Sequence, residues 1–237
     1  MPEKPRWGFF DLVLVYLPSL FLITWLGSWS RNLLHRLMGG SGRTPGMVQD
    51  FLLSYMVQFL IFTGMVWLVA VFLRRAHPNE LGIKGASRES WLKYGLAGGV
   101  LVFTFAWAAG LVIERLHPNV SQQSVETILR SVGSPGQFIL LLIVVAVLAP
   151  LTEELFYRGM VYPVFRAYMG KAWGMVAAGS VFGLVHMDLW RAVPLAVGGI
   201  FLCYVYEKTG SILVSTLTHG MWNGILALLI YLSMGMP

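Results

Sequence analysis

This sequence predicts an all-α integral membrane protein of about seven transmembrane helices, with its chemistry-bearing motifs in the C-terminal four. Three observations carry that prediction. Of 237 residues, 57% are hydrophobic and only 12% are charged, a balance too apolar for an ordinary soluble domain. The uncharged stretches have the length of roughly 20 residues that an α-helix needs to cross a bilayer core. Where ionisable residues do interrupt the late apolar runs, they form short motifs at helical spacing.

The first run, Leu12 to Ser30, is too long for the core of a secretory signal. It is followed by "RNLLHR", which offers no small-residue cleavage site, so it is expected to remain as a helix. Further spans are predicted from Phe51 to Leu73, Tyr94 to Ile113 and Ser131 to Thr152. Shorter runs from Ala172 to Met187 and Ala192 to Tyr206, then a longer one from Thr209 to Pro237, supply the remaining three. With no repeat and no long linker, the chain reads as one membrane domain. Residues 1–136 hold the first three helices and their loops, and residues 137–237 hold the four motif-bearing helices.

Two connectors have structure of their own to offer. "RRAHPNELGIKGASRESWLK" mixes turn formers with a segment able to lie at the interface, anchored by Trp91. "HPNVSQQSVETILRSVGSPG" offers one polar helix between Pro118 and Pro135. Plain solvated loops account for either equally well. The small-residue groups "GLAGG", "AAGSVFG" and "AVGG" are expected to mark places where helix backbones approach closely.

The net charge of +6 comes from basic residues scattered between apolar spans, without the basic and aromatic cluster that would suggest nucleic acid. It reads instead as topology. With the N-terminus inside, Lys4, Arg6, Arg74, Arg75, Lys84, Arg88, Lys93, Arg166, Lys171 and Lys208 fall on the inner side. Arg31, Arg36, Arg43, Arg115, Arg130 and Arg191 fall on the outer side, so the positive-inside rule predicts a cytoplasmic N-terminus. The single cysteine, Cys203, permits neither an internal disulfide nor a thiolate cluster and is expected to be packing.

Three polar groups remain. In "LTEELFYRG", Glu153 and Glu154 point about 100° apart on a helix, so they cannot face one partner equally. Glu154 and Arg158 are four residues apart and can neutralise one another on one face, leaving Glu153 free. The alternative is that the fourth span ends here and the charges meet headgroups, although ionisable residues inside a membrane are functional by default. His186 closes "FGLVH", and in "THGMWN" His219 and Asn223 share a helix face. If the chain turns at Met169 and Gly170, Glu153 and His186 come level about 24 Å from that turn in an antiparallel hairpin. A second turn near Thr209 brings Asn223 to the part of the sixth span that adjoins His186. Helix geometry thus gathers the three groups into one range of depth.

At these residues the chain resembles the CPBP family of intramembrane proteases, which includes type II CAAX prenyl endopeptidases and bacterial Abi proteins. Glu153, Glu154 and Arg158 match its first motif, Phe182 and His186 its second, and His219 and Asn223 its third, in that order. "TGSI" from Thr209 to Ile212 also fits, and the resemblance runs from about Gln137 onward. It implies hydrolysis of a peptide bond in a membrane-associated protein or peptide, prenylated or not, with lipid and that substrate as partners. It further implies Glu153 as general base on water, His186 helping to orient the water, and His219 with Asn223 as donors to the oxyanion. Glu154 and Arg158 would hold the helix.

No cofactor is expected on that mechanism. A zinc version with Glu153, His186 and His219 as ligands is the alternative, although no HExxH pair is present. A non-enzymatic immunity or scaffold protein, with the same groups only knitting helices together, and a proton-linked transporter are further readings.

Overall fold

The computed structural model describes residues 4–39, 46–118 and 124–235. Among them are six helices long and apolar enough to cross a membrane. Helix α1 is Phe9–Gly39, α2 is Met47–Leu73 and α3 is Arg88–Leu116. A short α4, Ser124–Arg130, follows. The fourth long helix, Pro135–Leu184, is interrupted at Gly170, where φ is 74° and ψ is 177°. Only a residue without a Cβ takes that backbone conformation readily. Its two arms are α5 (135–169) and α6 (171–184). Helices α7, Leu189–Thr209, and α8, Ile212–Ser233, complete the fold.

The seven predicted spans are thus held in six apolar stretches of helix, with predicted spans four and five as the two arms of the one broken at Gly170. That the arms lie antiparallel is plain from their contacts. A Cβ on Gly174 would lie 2.8 Å from the Arg166 Cα, and further along the rings of Tyr157 and Phe182 meet edge to face at 5.2 Å. The fourth span does not end at Thr152. Helix α5 runs on through Glu153, Glu154 and Arg158, because burying the last two against one another removes the need to carry them to the headgroups.

The connectors also take definite form. Between α2 and α3 the chain makes a 3₁₀ turn, Pro78–Leu81, capped by His77. Trp91 belongs to α3 itself, so no separate interfacial helix forms there. The second connector supplies α4 as the polar helix; its residues 119–123 lie outside the described residues, as do Arg43 and its neighbours.

Side chains at one end tie the bundle together. Arg6 pairs with Glu80 and Arg74 with Asp11. Glu207 gathers Arg166, Lys171 and the Tyr162 hydroxyl beside the Gly170 reversal. The Ser211 hydroxyl donates to the Lys84 carbonyl at 2.5 Å. Gly210, with φ of 63°, ends α7 and turns the chain into α8.

The small-residue groups are helix contacts, as expected. A Cβ on Gly179 would come within 2.6 Å of the Ile200 backbone nitrogen, and one on Gly183 within 2.4 Å of the Ala192 carbonyl, so α6 and α7 touch backbone to backbone. Gly99 admits Met221 of α8 in the same way. Such contacts let van der Waals packing and close dipoles replace the hydrophobic drive that lipid does not supply. Cys203 is buried in this packing.

Candidate active site

Two prolines shape the segment that carries the carboxylates. A proline ring within a helix presses on the carbonyl four residues back and removes one donor. Here each buried proline follows a π-helical stretch that widens the turn beneath it: Val144–Leu148 before Pro150, and Tyr157–Val161 before Pro163. Between the two lies a short α-helical stretch, Ala149–Phe156, which holds Glu153 and Glu154.

Glu154 and Arg158 are both fully buried, and Arg158 Nη1 donates to Glu154 Oε1 at 2.8 Å. Arg158 Nη2 donates to the Gly199 carbonyl at 3.0 Å, and its guanidinium lies 4.7 Å from the centre of the Phe182 ring, an attraction between cation and ring face. This gives the phenylalanine of the second motif a physical task. The Phe182 ring also meets His219 edge to face at 5.7 Å.

His219 is almost wholly buried and stands between the two carboxylates. Its Nδ1 is 3.0 Å from Glu154 Oε1, and its Nε2 is 3.9 Å from Glu153 Oε2. A carboxylate can only accept, so Nδ1 carries the proton of the shorter contact. Sequence spacing links Glu154 to Arg158 alone; its second partner, His219, is 65 residues further on and cannot be read from local spacing.

Glu153 is the more open of the two, with its side chain 34% exposed. Its Oε2 atom is nevertheless buried and lacks a hydrogen-bond partner, as does Oε2 of Glu154. The phenols of Tyr55 and Tyr157 lie within electrostatic reach of Glu153. Glu153 is thus the carboxylate that retains both access and an uncommitted oxygen.

The remaining two predicted site residues are held differently. His186, exposed in the turn after α6, places Nδ1 at 2.7 Å from the Phe182 carbonyl. That carbonyl only accepts, so Nδ1 carries the proton and Nε2 is left as the acceptor. Its ring also meets Phe182 at 5.0 Å, and so His186 joins the site through Phe182. Asn223 Nδ2 donates to the Val145 carbonyl of α5 at 3.3 Å, which leaves one N–H of the amide for another acceptor. A groove of about 550 Å³ between α1 and α6, lined by Tyr16, Leu20, Val181, Leu184, Val185 and Met187, reaches the neighbours of His186 and not the carboxylates.

Zinc would require Glu153, His186 and His219 to converge. Among the described residues no three His, Cys, Asp or Glu side chains gather closely enough to hold a metal ion. The donor set in this arrangement does not fit a three-ligand zinc site.

Residues 135–225 match the family described as type II CAAX prenyl endopeptidase Rce1-like. Over 234 residues, 92% of this chain and 93% of the relative, the sequence is 27% identical to the UPF0177 protein YaiF of Lactococcus lactis subsp. lactis (strain IL1403). No solved structure matches the chain.

Proposed function

We propose that this chain, whose residues 135–225 match the family described as type II CAAX prenyl endopeptidase Rce1-like, is an intramembrane endopeptidase of the glutamate type. The observation that carries the reading is the placing of one imidazole, His219, between a buried, paired carboxylate and an accessible one with an uncommitted oxygen. A knot that only held helices together would have no need of a second, partly exposed carboxylate on the far side of that ring.

Glu153 takes a proton from a water molecule as the water oxygen bonds to the scissile carbonyl carbon. The carbonyl oxygen becomes an oxyanion, which accepts from His219 Nε2 and from the second N–H of Asn223. For Nε2 to donate while Nδ1 serves Glu154, the ring is the imidazolium, a cation seated between two carboxylates. Loss of one oxyanion donor typically costs about a hundredfold or more in rate. The proton on Glu153 then passes to the amide nitrogen as the C–N bond breaks. His186, with Nδ1 held by the Phe182 carbonyl, accepts from the water at Nε2 and aligns it. Glu154 and Arg158 fix the imidazole and the helix.

The substrate is a membrane-associated protein or peptide. The reading is tested by comparing membrane-protein cleavage products in cells that carry the wild type and cells that carry Glu153→Gln. Products that disappear with the variant, at unchanged expression, support it. Identical product sets with every candidate substrate cut equally would defeat it.

A further inference from the structure

Pro150 has a role that the motif residues do not explain. At the end of the π stretch before it, the Ala149 N–H donates to the Val144 carbonyl, five residues back, where an α-helix would have bonded it to Val145. In that slipped register the next donor would be residue 150, and proline has no N–H. The Val145 carbonyl is therefore left for a partner outside its own helix, and Asn223 of α8 fills that place at 3.3 Å. The Ala146 carbonyl, which an unbroken α ladder would have bonded to residue 150, instead faces α8 at Gly220, where a Cβ would stand only 2.2 Å from it.

Both carbonyls thus meet α8, one through an amide donor and one through the absence of a side chain. His219 immediately precedes these contacts in sequence, one residue before Gly220 and four before Asn223. The extra residue of the π turn also rotates the rest of α5 by about 100°, which decides the faces on which Glu153 and Glu154 emerge three and four residues later.

We infer that Pro150 is a positioning residue: by opening the ladder of α5 it creates the acceptor that seats Asn223 and so fixes where α8 presents His219 to Glu153 and Glu154. Its catalytic consequence rests on the protease reading, whereas the seating of α8 does not. A proline kept only for packing and one kept for position differ in a measurable way. Alanine is far the better helix former, so Pro150→Ala regularises α5 and returns an N–H to residue 150.

The test uses the full chain, purified in detergent, as wild type, Pro150→Ala, Asn223→Ala and the double variant. Thermal melting is measured for each, and the rate at which diethyl pyrocarbonate modifies His219 is read on its own peptide by mass spectrometry. Pro150→Ala is expected to melt no lower than the wild type while His219 becomes modified about tenfold faster or more. Asn223→Ala is expected to lower the melting midpoint in the wild-type background and to leave it unchanged when residue 150 is alanine, because its acceptor then has a donor within the helix. Additive melting effects, or a His219 that stays as protected as in the wild type, overturn the proposal. So does a Pro150→Ala chain that no longer folds, since the proline is then structural. Cleavage of a fluorogenic farnesylated CAAX peptide serves as the separate arm, where kcat is expected to fall about a hundredfold with KM unchanged, as displaced catalytic groups require. If the wild type leaves this probe uncut while the melting effects are coupled, the failure lies with the prenylated substrate of the protease reading and the seating of α8 stands.

Discussion

Glu154 Oε1 accepts from both Arg158, at 2.8 Å, and His219, at 3.0 Å, so one carboxylate oxygen joins the first and third motifs. The other carboxylate, Glu153, approaches the far nitrogen of the same ring at 3.9 Å. Neighbours in sequence thus address opposite sides of one imidazole. Glu154 is fully buried between Arg158 and His219, and removing one partner of a buried pair costs about 3–5 kcal/mol. Glu154→Gln is therefore expected to lower the melting temperature sharply and to lose activity with it. Glu153→Gln keeps the shape and disturbs no hydrogen bond to another side chain, so it should abolish cleavage at nearly unchanged stability. Melting curves and product formation on the two purified variants check this, and exchanged phenotypes would exchange the roles.

The seating of α8 makes its glycines unequal. A Cβ on Gly220 meets the Ala146 carbonyl at 2.2 Å, and one on Gly224 meets the Ala146 side chain at 3.2 Å. Nothing lies within 4 Å of a Cβ on Gly110 in α3. Gly220→Ala must push α8 away from backbone that cannot yield, at a cost of about 1–3 kcal/mol or more. Gly224→Ala should cost less, and Gly110→Ala should be neutral or stabilising by up to about 1 kcal/mol through helix propensity. A melting series on the three variants decides the order, and an unaffected Gly220→Ala would mean that α8 does not sit so close.

Much of this arrangement is legible in the sequence. Apolar runs of bilayer length announce the long helices, and the glycine in "YMGK" marks the reversal at Gly170 to the residue. From that turn alone Glu153 and His186 come level, and the contact of Tyr157 with Phe182 has the same register. What spacing cannot provide is the partner across the bundle. Helical periodicity tells which residues share a face, but not which of two adjacent carboxylates another helix will meet, and so it pairs Glu154 with Arg158 alone. Nor does periodicity register a π turn, which adds a residue and rotates everything after it. The signal is present as Pro150 inside the apolar run "FILLLIVVAVLAP", a proline where an unbroken helix is expected. The link from Phe182 to both Arg158 and His219 is likewise a contact between three helices, invisible to any one of them.

Topology gives a third expectation. The turn at Gly210, the Lys84 loop and the Arg6 segment share one end of the bundle, where Ser211 bonds the Lys84 carbonyl and Arg6 pairs with Glu80. That end carries the larger share of the basic residues, so we expect it to face the cytoplasm. A cysteine replacing Lys84 should react with an impermeant maleimide only from the cytoplasmic side. One at Arg130, or near Arg43, which lies outside the described residues, should react only from the opposite side. The reverse pattern would invert the protein in the membrane.

The last expectation separates glutamate from zinc catalysis, because the two ask different things of the same imidazoles. As zinc ligands, His186 and His219 would have to offer lone pairs to one ion together with Glu153, and substituting either would lower metal content and activity in proportion. In this structure His219 gives an N–H to Glu154 and His186 gives one to the Phe182 carbonyl, which leaves each ring Nε2 for either task, and among the described residues the two rings and Glu153 do not gather around one point. On the glutamate mechanism His219→Gln retains a donor and should keep a measurable fraction of activity, while Asn223→Ala should lose a comparable part of the oxyanion stabilisation. The purified active chain should carry less than about one zinc per molecule by elemental analysis, and exhaustive chelation should leave its rate unchanged. Stoichiometric zinc that vanishes in both His186→Ala and His219→Ala, with activity falling alongside, would require Nε2 of the two rings to converge with Glu153 on a metal, and the glutamate mechanism would fall with that result.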